Sequence, residues 1–198
     1  HIKTILKIII IYYSYTKKND IYRVAIVGDS FVEALTVPPK MGIAHVTEQI
    51  LHQKGQPVEV YAFGLSGQGT FQEWLMIRDK VIRYDPDLVI VVFITNDVVN
   101  SLAGKDDHLH RSGVRVKNRR IVKEYIAPPY QPSPIRRLLR HSAIIRYLYL
   151  QKPNNSHEIR YNPQGHLALS VTPMPAKIKK GWTHVEASLH AISAFLTA

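Results

Sequence analysis

The sequence has 198 residues, of which 45% are hydrophobic and 21% charged, and it contains ten glycines, twelve prolines and no cysteine. This length and composition exclude an intrinsically disordered chain, a collagen-like repeat and a disulfide-dependent miniprotein. Without cysteine there is no thiolate metal site and no cysteine nucleophile, so any nucleophile must be an oxygen or an amine.

The net charge of +11 is unevenly distributed along the chain. Residues 1–23 carry five Lys/Arg against one Asp/Glu and residues 101–160 carry thirteen against four, whereas residues 24–100 carry five against nine. A nucleic-acid-binding domain places its cations across its folded working face. Since the segment with the clearest fold pattern is the least basic, we expect no nucleic-acid partner and rank a basic nucleic-acid or anionic-surface binder last.

Residues 1–21 form a basic and apolar arm. Its apolar run from Ile8 to Tyr13 is far shorter than the roughly 20 residues that span a bilayer. One interpretation is the remnant of a signal or anchor, because a basic start precedes the apolar run. The other is an edge strand or a loosely ordered arm, and membrane association through this arm stays open.

The segment 22–100 predicts a doubly wound, flavodoxin-like parallel α/β sheet. β-branched runs that end at turn residues alternate with amphipathic stretches closed by glycine or aspartate, which is the pattern of consecutive βα units. About three strands are present. Strands are predicted at 22–28, 57–63 and 88–95, and helices at 41–54 and 70–84.

The second half of the chain differs in character. Residues 101–160 predict a basic insertion, irregular or short-stranded at first and then a basic helical cap at about 134–150, opened by Pro134. Residues 161–198 predict a loop and a last helix of the core, from Gly181 to Leu196.

Several isolated side chains have an ordinary structural interpretation. We expect Trp74 and Trp182 in the core. The histidines of the predicted helices are expected at the surface or at an edge; they are His45, His52, His184 and His190. A polar loop carries side chains that could ligate a metal, but a solvated loop is the better interpretation because no partner ligand occurs elsewhere. These side chains belong to Asp106, Asp107, His108 and His110.

Three polar turns follow the three predicted strands, and ligands bind at the carboxyl ends of strands in such sheets. The turns are Gly28-Asp29-Ser30, the glycine-rich stretch 64–69 and Asn96-Asp97. Acyl transfer requires a nucleophile and hydrogen-bond donors for the oxyanion. These turns offer a serine hydroxyl, backbone N–H groups and an amide donor. The simpler alternatives are that Ser30 caps a helix, that the glycines only form a turn, and that Asn96-Asp97 is a plain strand-end turn.

These turns resemble the sequence blocks of the SGNH or GDSL family of serine hydrolases, and most of all its larger bacterial members. The first block is similar to Gly28-Asp29-Ser30-Phe31, the second to Gly64–Gly67 and the third to Asn96-Asp97, within continuous similarity over residues 22–101. The resemblance implies an SGNH-type sheet and an esterase. Its substrate would be a small-molecule, carbohydrate or lipid ester, such as an O-acyl or O-acetyl group.

Carried over by position, the resemblance makes Ser30 the nucleophile. The backbone N–H groups of Ser30 and Gly67 and the side chain of Asn96 become the oxyanion donors. Ala62 stands where the family's second block has asparagine, which removes a turn-ordering side chain but no donor. The resemblance implies neither a cofactor nor a metal, and it favours an extracytoplasmic or cell-envelope location over a cytoplasmic one.

The general base is the unresolved part of the resemblance, because the family has an Asp/His pair near its C-terminus. The segment most similar to the family's Asp/His block is 158–166. There Glu158 replaces the aspartate, Arg160 stands in place of the histidine, and His166 is the remaining candidate for the general base. We expect the true pair to lie beyond Ala198, together with a fourth and a fifth strand, in a C-terminally truncated chain. A catalytically incomplete binding module with the same fold is the alternative.

Overall fold

A computed structural model describes residues 13–102, 111–128, 131, 134 and 174–198. These residues belong to two compact units. The first comprises the described residues up to Gln68, with Glu73–Phe93 and Ile192–Ala198, and the second comprises Gly69–Gln72 with the described residues from Ile94 to Ala191. The basic helix predicted at about 134–150 and the loop that follows it lie outside the described residues.

The first unit contains a three-stranded parallel sheet, which confirms the predicted parallel α/β class. Its strands are β1 (Tyr22–Gly28), β2 (Val58–Gly64) and β3 (Leu88–Val91), in the order β2-β1-β3. Every residue of β1 after Tyr22 is buried, as expected for a central strand with both faces covered. The registers pair Gly28 with Gly64 and Val27 with Val91, so the carboxyl ends of the three strands lie at one edge of the sheet.

Short helices connect these strands. They are α1 (Ser30–Glu33), α2 (Ile43–Gln53) and α3 (Thr70–Asp79), with 3₁₀ turns at Pro39–Met41 and Val81–Tyr84. Alternate residues of β1 and β2 pack with apolar residues of α1 and α2 in one cluster, formed by Val24, Ile26, Val32, Ala44, Val58 and Val60. Full burial of each aliphatic side chain contributes about 1.5–3 kcal/mol relative to exposure.

A fully buried arginine joins the start of the sheet to the stretch before β1. The Arg23 side chain has no exposed surface and donates to the Glu59 carboxylate, with Nη2 and Oε2 2.7 Å apart. It also donates to the carbonyl oxygens of Tyr84 and Thr16 and lies 4.9 Å from the centre of the Tyr61 ring. Because a buried charge must be paired and hydrogen-bonded, these contacts together fix residues 15–16 beside the sheet.

Within the described part of the chain, side chains and not another strand form hydrogen bonds with the outer edge of β2. Three alternate residues of β2, whose backbone groups point away from β1, each have a side-chain partner. The pairs are His52 Nε2 with Val58 O at 2.7 Å, Val60 N with Glu48 Oε2 at 2.8 Å, and Ala62 N with the Tyr13 hydroxyl at 2.9 Å. Such contacts satisfy the edge groups that would otherwise pair with another chain.

The second unit contains α4 (Asn96–Asn100), the hairpin of β4 (Gly113–Lys117) and β5 (Arg120–Tyr125), and most of α5 (Ala176–Leu196). Val98 of α4 packs against Ile178 and Val185 of α5 in a small core. At the crossing, a Cβ on Gly181 would lie 2.4 Å from the Val98 carbonyl oxygen, so only glycine allows this approach. Among the described residues, no helix is both long and apolar enough to cross a membrane.

Three element boundaries differ from the sequence prediction by four or five residues. α5 begins at Ala176, five residues before the predicted start, because Gly181 is an interior contact residue and not a terminal one. α3 ends at Asp79, and the rest of the predicted helix is a 3₁₀ turn. β3 ends at Val91, where its pairing with β1 stops, although the apolar run continues to Thr95.

Burial also corrects two single-residue predictions. Trp74 is buried as predicted, but the prediction for Trp182 was wrong, since 37% of its surface is exposed. The prediction of a surface or edge position for His184 was also wrong, since only 4% of its surface is exposed. His184 lies on the face of α5 that includes Gly181 and Val185, one turn apart, and that face is packed inside the second unit.

Candidate active site

Ser30 lies at the turn from β1 into α1. The Asp29 carboxylate accepts a hydrogen bond from the Phe31 N–H at 3.0 Å, so Asp29 is the N-cap of α1 and Ser30 is its first residue. Asp29 is fully buried while Ser30 is exposed. The helix-capping interpretation therefore applies to Asp29, and the Ser30 hydroxyl is accessible to a ligand.

The turn after β2 is held directly against α1. The Leu65 N–H donates to the Gly28 carbonyl at 3.2 Å, and the Ser66 N–H donates to the Glu33 carboxylate at 2.7 Å. The Ser66 hydroxyl donates to the same Glu33 oxygen. These bonds bring the turn that contains Gly67 next to the helix that begins with Ser30, both within the first unit.

Two glycines of this region have different physical requirements. A Cβ on Gly64 would lie 2.0 Å from the Glu33 backbone nitrogen, so glycine is needed there for close packing of the strand end on α1. Gly67 has a φ of +77° and open space around the position of a Cβ, so its requirement is conformational. A left-handed residue turns the backbone sharply and changes the direction of its N–H groups.

Asn96 is the first residue of α4, in the second unit. The turn before it is ordered by Asp97, whose fully buried carboxylate accepts a hydrogen bond from the Ile94 N–H at 2.7 Å. The Asn96 side-chain oxygen is buried as well. The turn that contains Gly67 is thus hydrogen-bonded to the end of β1 and to α1 within one unit, and Asn96 belongs to the other.

Glu33 is the site residue that the sequence analysis missed. Its carboxylate is the acceptor that holds both the backbone and the side chain of Ser66. The sequence feature that could have indicated a role for Glu33 is its distance from Ser30. The two residues are three positions apart at a helix start, as in a capping box. That spacing predicts a bond back to the helix start, whereas the observed bond runs across to the next strand-end turn.

The Ser30 hydroxyl makes no hydrogen bond to any residue that the structure describes. The candidate base His166 lies outside the described residues. His184 is in the second unit, where its Nδ1 lies 2.8 Å from the Ser101 carbonyl oxygen and burial lowers its pKa. His184 therefore serves the packing of α5 on the residues after α4.

No cluster of three or more histidine, aspartate or glutamate side chains suited to a metal ion occurs within the described part of the chain. The polar loop residues Asp106, Asp107, His108 and His110 are outside that part. A cavity of about 760 Å³ lies in the first unit between the α1–α2 segment, α2 and β2. Its lining includes Glu33 and Ala34, next to the end of α1, and aliphatic residues such as Val32 and Val60.

Comparison with known proteins finds distant structural similarity only. No protein-family model and no curated protein matches the chain. Among solved structures, it is similar to TesA, with 22% identity, a TM-score of 0.37, and coverage of 41% of this chain and 45% of that one. It is also similar to AlinE4, an SGNH-hydrolase family esterase, with 21% identity, a TM-score of 0.35, and coverage of 44% and 47%. The chain thus spans less than half the length of either structure.

Proposed function

We propose that this chain carries the nucleophile and oxyanion-binding part of a serine ester hydrolase. The observation that carries the proposal is the exposed Ser30 hydroxyl at a βα turn, next to the left-handed turn at Gly67 that Glu33 ties to α1. A nucleophile followed by a helix, beside backbone donors on an adjacent loop, is the arrangement that acyl transfer requires.

In the proposed reaction, Ser30 Oγ attacks the ester carbonyl carbon and forms a tetrahedral intermediate. The N–H groups of Ser30 and Gly67 and the amide of Asn96 bind the oxyanion. Collapse breaks the bond to the alcohol, which leaves with the proton taken from Ser30, and water then releases the acid from the acyl-enzyme. Loss of one oxyanion donor typically lowers turnover about 10²- to 10³-fold.

The proton of Ser30 needs a base, since a serine hydroxyl is a poor nucleophile alone. We assign this role to a histidine and an acid outside the described residues, with His166 as the candidate histidine of this chain. The substrate is an O-acyl ester of a carbohydrate, lipid or small molecule. The protein is expected at the cell envelope or outside the cytoplasm.

The test is covalent labelling of the full chain with a fluorophosphonate. We expect stoichiometric labelling at Ser30, found by peptide mass spectrometry, and its loss in Ser30→Ala. Ser14→Ala is the matched control, because Ser14 is also exposed and its hydroxyl donates to the nearby Thr16 carbonyl. Equal labelling of S30A and the parent chain, or labelling at another serine, would contradict the proposal.

A second candidate function is a binding module that keeps the hydrolase scaffold without a working base. It is favoured by one observation, the lack of a hydrogen bond between the Ser30 hydroxyl and any described residue. This candidate predicts that the full chain binds a phosphonate or boronate analogue reversibly, and that a panel of acetyl and longer-chain esters shows no turnover above the S30A level. Turnover that S30A abolishes would exclude it.

A further inference from the structure

The hairpin of β4 and β5 brings four cations onto one face. Its register places Arg115 opposite Lys123 and Lys117 opposite Arg120. Residues two apart on a strand share a face, and the bulge between the two pairs keeps both on the same side. We call this group, formed by Arg115, Lys117, Arg120 and Lys123, the basic ladder.

The two faces of the hairpin have opposite characters. All four side chains of the basic ladder are exposed, whereas the other face is half-buried and mostly aliphatic, with Val114, Val116 and Ile121. The turn residues Asn118 and Arg119 both have positive φ, at 49° and 59°, as in the tight two-residue turns that fix hairpin register. The ladder is therefore held by a defined register, and the half-buried aliphatic face is directed away from it.

The basic ladder is unfavourable for the hairpin itself. Like charges directly opposite one another across an antiparallel pair are destabilising. None of the four has a carboxylate partner within 4 Å among the residues that the structure describes, and the nearby ion pair, Arg119 with Glu186 at 3.4 Å, uses a turn residue. Charges about 5 Å apart across the strands and about 7 Å apart along them form a flat array that an external anionic surface would neutralise.

Exposed aliphatic groups beside the ladder indicate the kind of anion. Val122, in the bulge between the two cation pairs, and Ile126, just after β5, are each 54% exposed. Cations flanked by exposed aliphatic side chains suit a lipid interface, where charge meets headgroups and apolar groups enter the acyl boundary. Single-stranded nucleic acid is instead bound by cations combined with exposed aromatic platforms.

We propose that the basic ladder docks on an anionic phospholipid surface through its phosphodiester headgroups, with Val122 at the headgroup boundary. The contact is independent of the Ser30 site and requires no catalysis. It would hold the protein at a membrane whose lipids carry net negative charge.

The test uses the full chain in a vesicle co-sedimentation assay. Vesicles of phosphatidylcholine with 30% phosphatidylglycerol are compared with pure phosphatidylcholine at 150 mM NaCl. Arg115→Gln/Lys123→Gln is expected to lower the partition coefficient on anionic vesicles about 25-fold, since each cation near such a surface contributes about a factor of five. Lys54→Gln/Lys80→Gln removes the same charge from exposed sites outside the hairpin and is expected to have an effect below about threefold.

Further variants separate the alternatives. Lys117→Gln/Arg120→Gln removes the second pair and repeats the test if the first variant folds poorly, which circular dichroism checks. Val122→Ser is expected to lower vesicle binding about fivefold and to leave binding of a 20-base-pair DNA duplex unchanged. Equal vesicle partition of R115Q/K123Q and K54Q/K80Q would overturn the proposal. Ladder-dependent binding of the duplex without vesicle binding would overturn it as well and assign the surface to nucleic acid.

Discussion

Two adjacent residues at the end of β1 have separate roles. Asp29 is fully buried and caps α1 through the Phe31 N–H, so its carboxylate stabilises the turn. Ser30 follows it with an exposed hydroxyl. A side chain that both capped the helix and acted as a nucleophile would have its oxygen occupied by the backbone. Separating the roles leaves the Ser30 oxygen available for a carbonyl carbon.

At the same scale, His184 shows how a polar residue is accommodated in a packed helix face. Its Nδ1 lies 2.8 Å from the Ser101 carbonyl oxygen, and the Ser188 hydroxyl donates to the His184 carbonyl at 2.8 Å. Burial lowers the pKa of His184, and the nearby Lys180 charge lowers it further, although the bond to Ser101 opposes both effects. The folded protein therefore favours the neutral imidazole.

This environment makes stability depend on pH. The unfolded histidine has a pKa of about 6.5, so below that value the unfolded chain binds more protons than the folded one. Stability from the neutral His184 is complete above about pH 6.5 and is lost as the pH falls toward the lowered folded pKa. We expect the free energy of unfolding in urea to fall between pH 7.5 and 5.5, and to fall less in His184→Gln. His190→Gln, on an exposed face of the same helix, is the control. An unchanged pH dependence in H184Q would refute this account.

At the scale of elements, Gly64 and Glu33 determine how the end of β2 packs against α1. Gly64 allows the strand end to reach the backbone of α1, and Glu33 then fixes the turn beyond it through Ser66. Gly67 comes directly after Ser66 in that turn and has a φ of +77°. The packing of one strand end thus determines the position of the proposed oxyanion donor.

Two glycine substitutions test this arrangement. Gly64→Ala would place a methyl group 2.0 Å from the Glu33 nitrogen, and we expect a loss of stability of about 3 kcal/mol with slower labelling of Ser30. Gly67→Ala has room for the methyl group but retains a φ of +77°, so we expect a loss of about 1 kcal/mol. Urea unfolding measures the stability changes.

Gly55 offers the matched control for Gly67. Its φ is +75° and nothing lies within 4 Å of its Cβ position, so Gly55→Ala has the same strain at a turn after α2. G55A and G67A should lose similar stability, but only G67A should slow the fluorophosphonate reaction. Equal labelling rates in these two variants would show that the turn at Gly67 is not part of the site.

The elements also show where sequence reasoning succeeds. The buried β1 strand and its terminal Gly28-Asp29-Ser30 turn were predicted because local signals, a β-branched run and a turn, agree with the tertiary environment. The start of α5 and the burial of His184 were missed because both depend on the approach of Gly181 to Val98, a contact between residues distant in sequence. The register of the β4–β5 hairpin, and with it the basic ladder, likewise required the structure, since the bulge shifts the pairing.

At the scale of the whole molecule, charge is the dominant feature. The chain carries a net charge of +11. Of the ion pairs among the described residues, Arg23–Glu59 has a fully buried cation, and both partners are partly exposed in Lys17–Asp87, Arg78–Asp79 and Arg119–Glu186. Exposed pairs contribute about 0–1 kcal/mol each and weaken with salt. Net charge far from zero destabilises the compact state by self-repulsion, and that repulsion is also screened by salt. The two effects have opposite signs, so the salt dependence of stability reveals which is larger.

We expect repulsion to be larger, so the thermal unfolding midpoint should rise by about 3–5 °C between 20 and 300 mM NaCl.

Two double variants separate the effect of net charge from that of local charge, since R115Q/K123Q and K54Q/K80Q both lower the net charge from +11 to +9. R115Q/K123Q should show the smaller rise with salt, because it also removes a like-charged cross-strand pair, Arg115 with Lys123. A midpoint that falls with salt would mean that ion pairs dominate. Identical responses of the two variants would mean that the ladder stores no local repulsion, and the cations would then be too well separated to act as one anion-binding array.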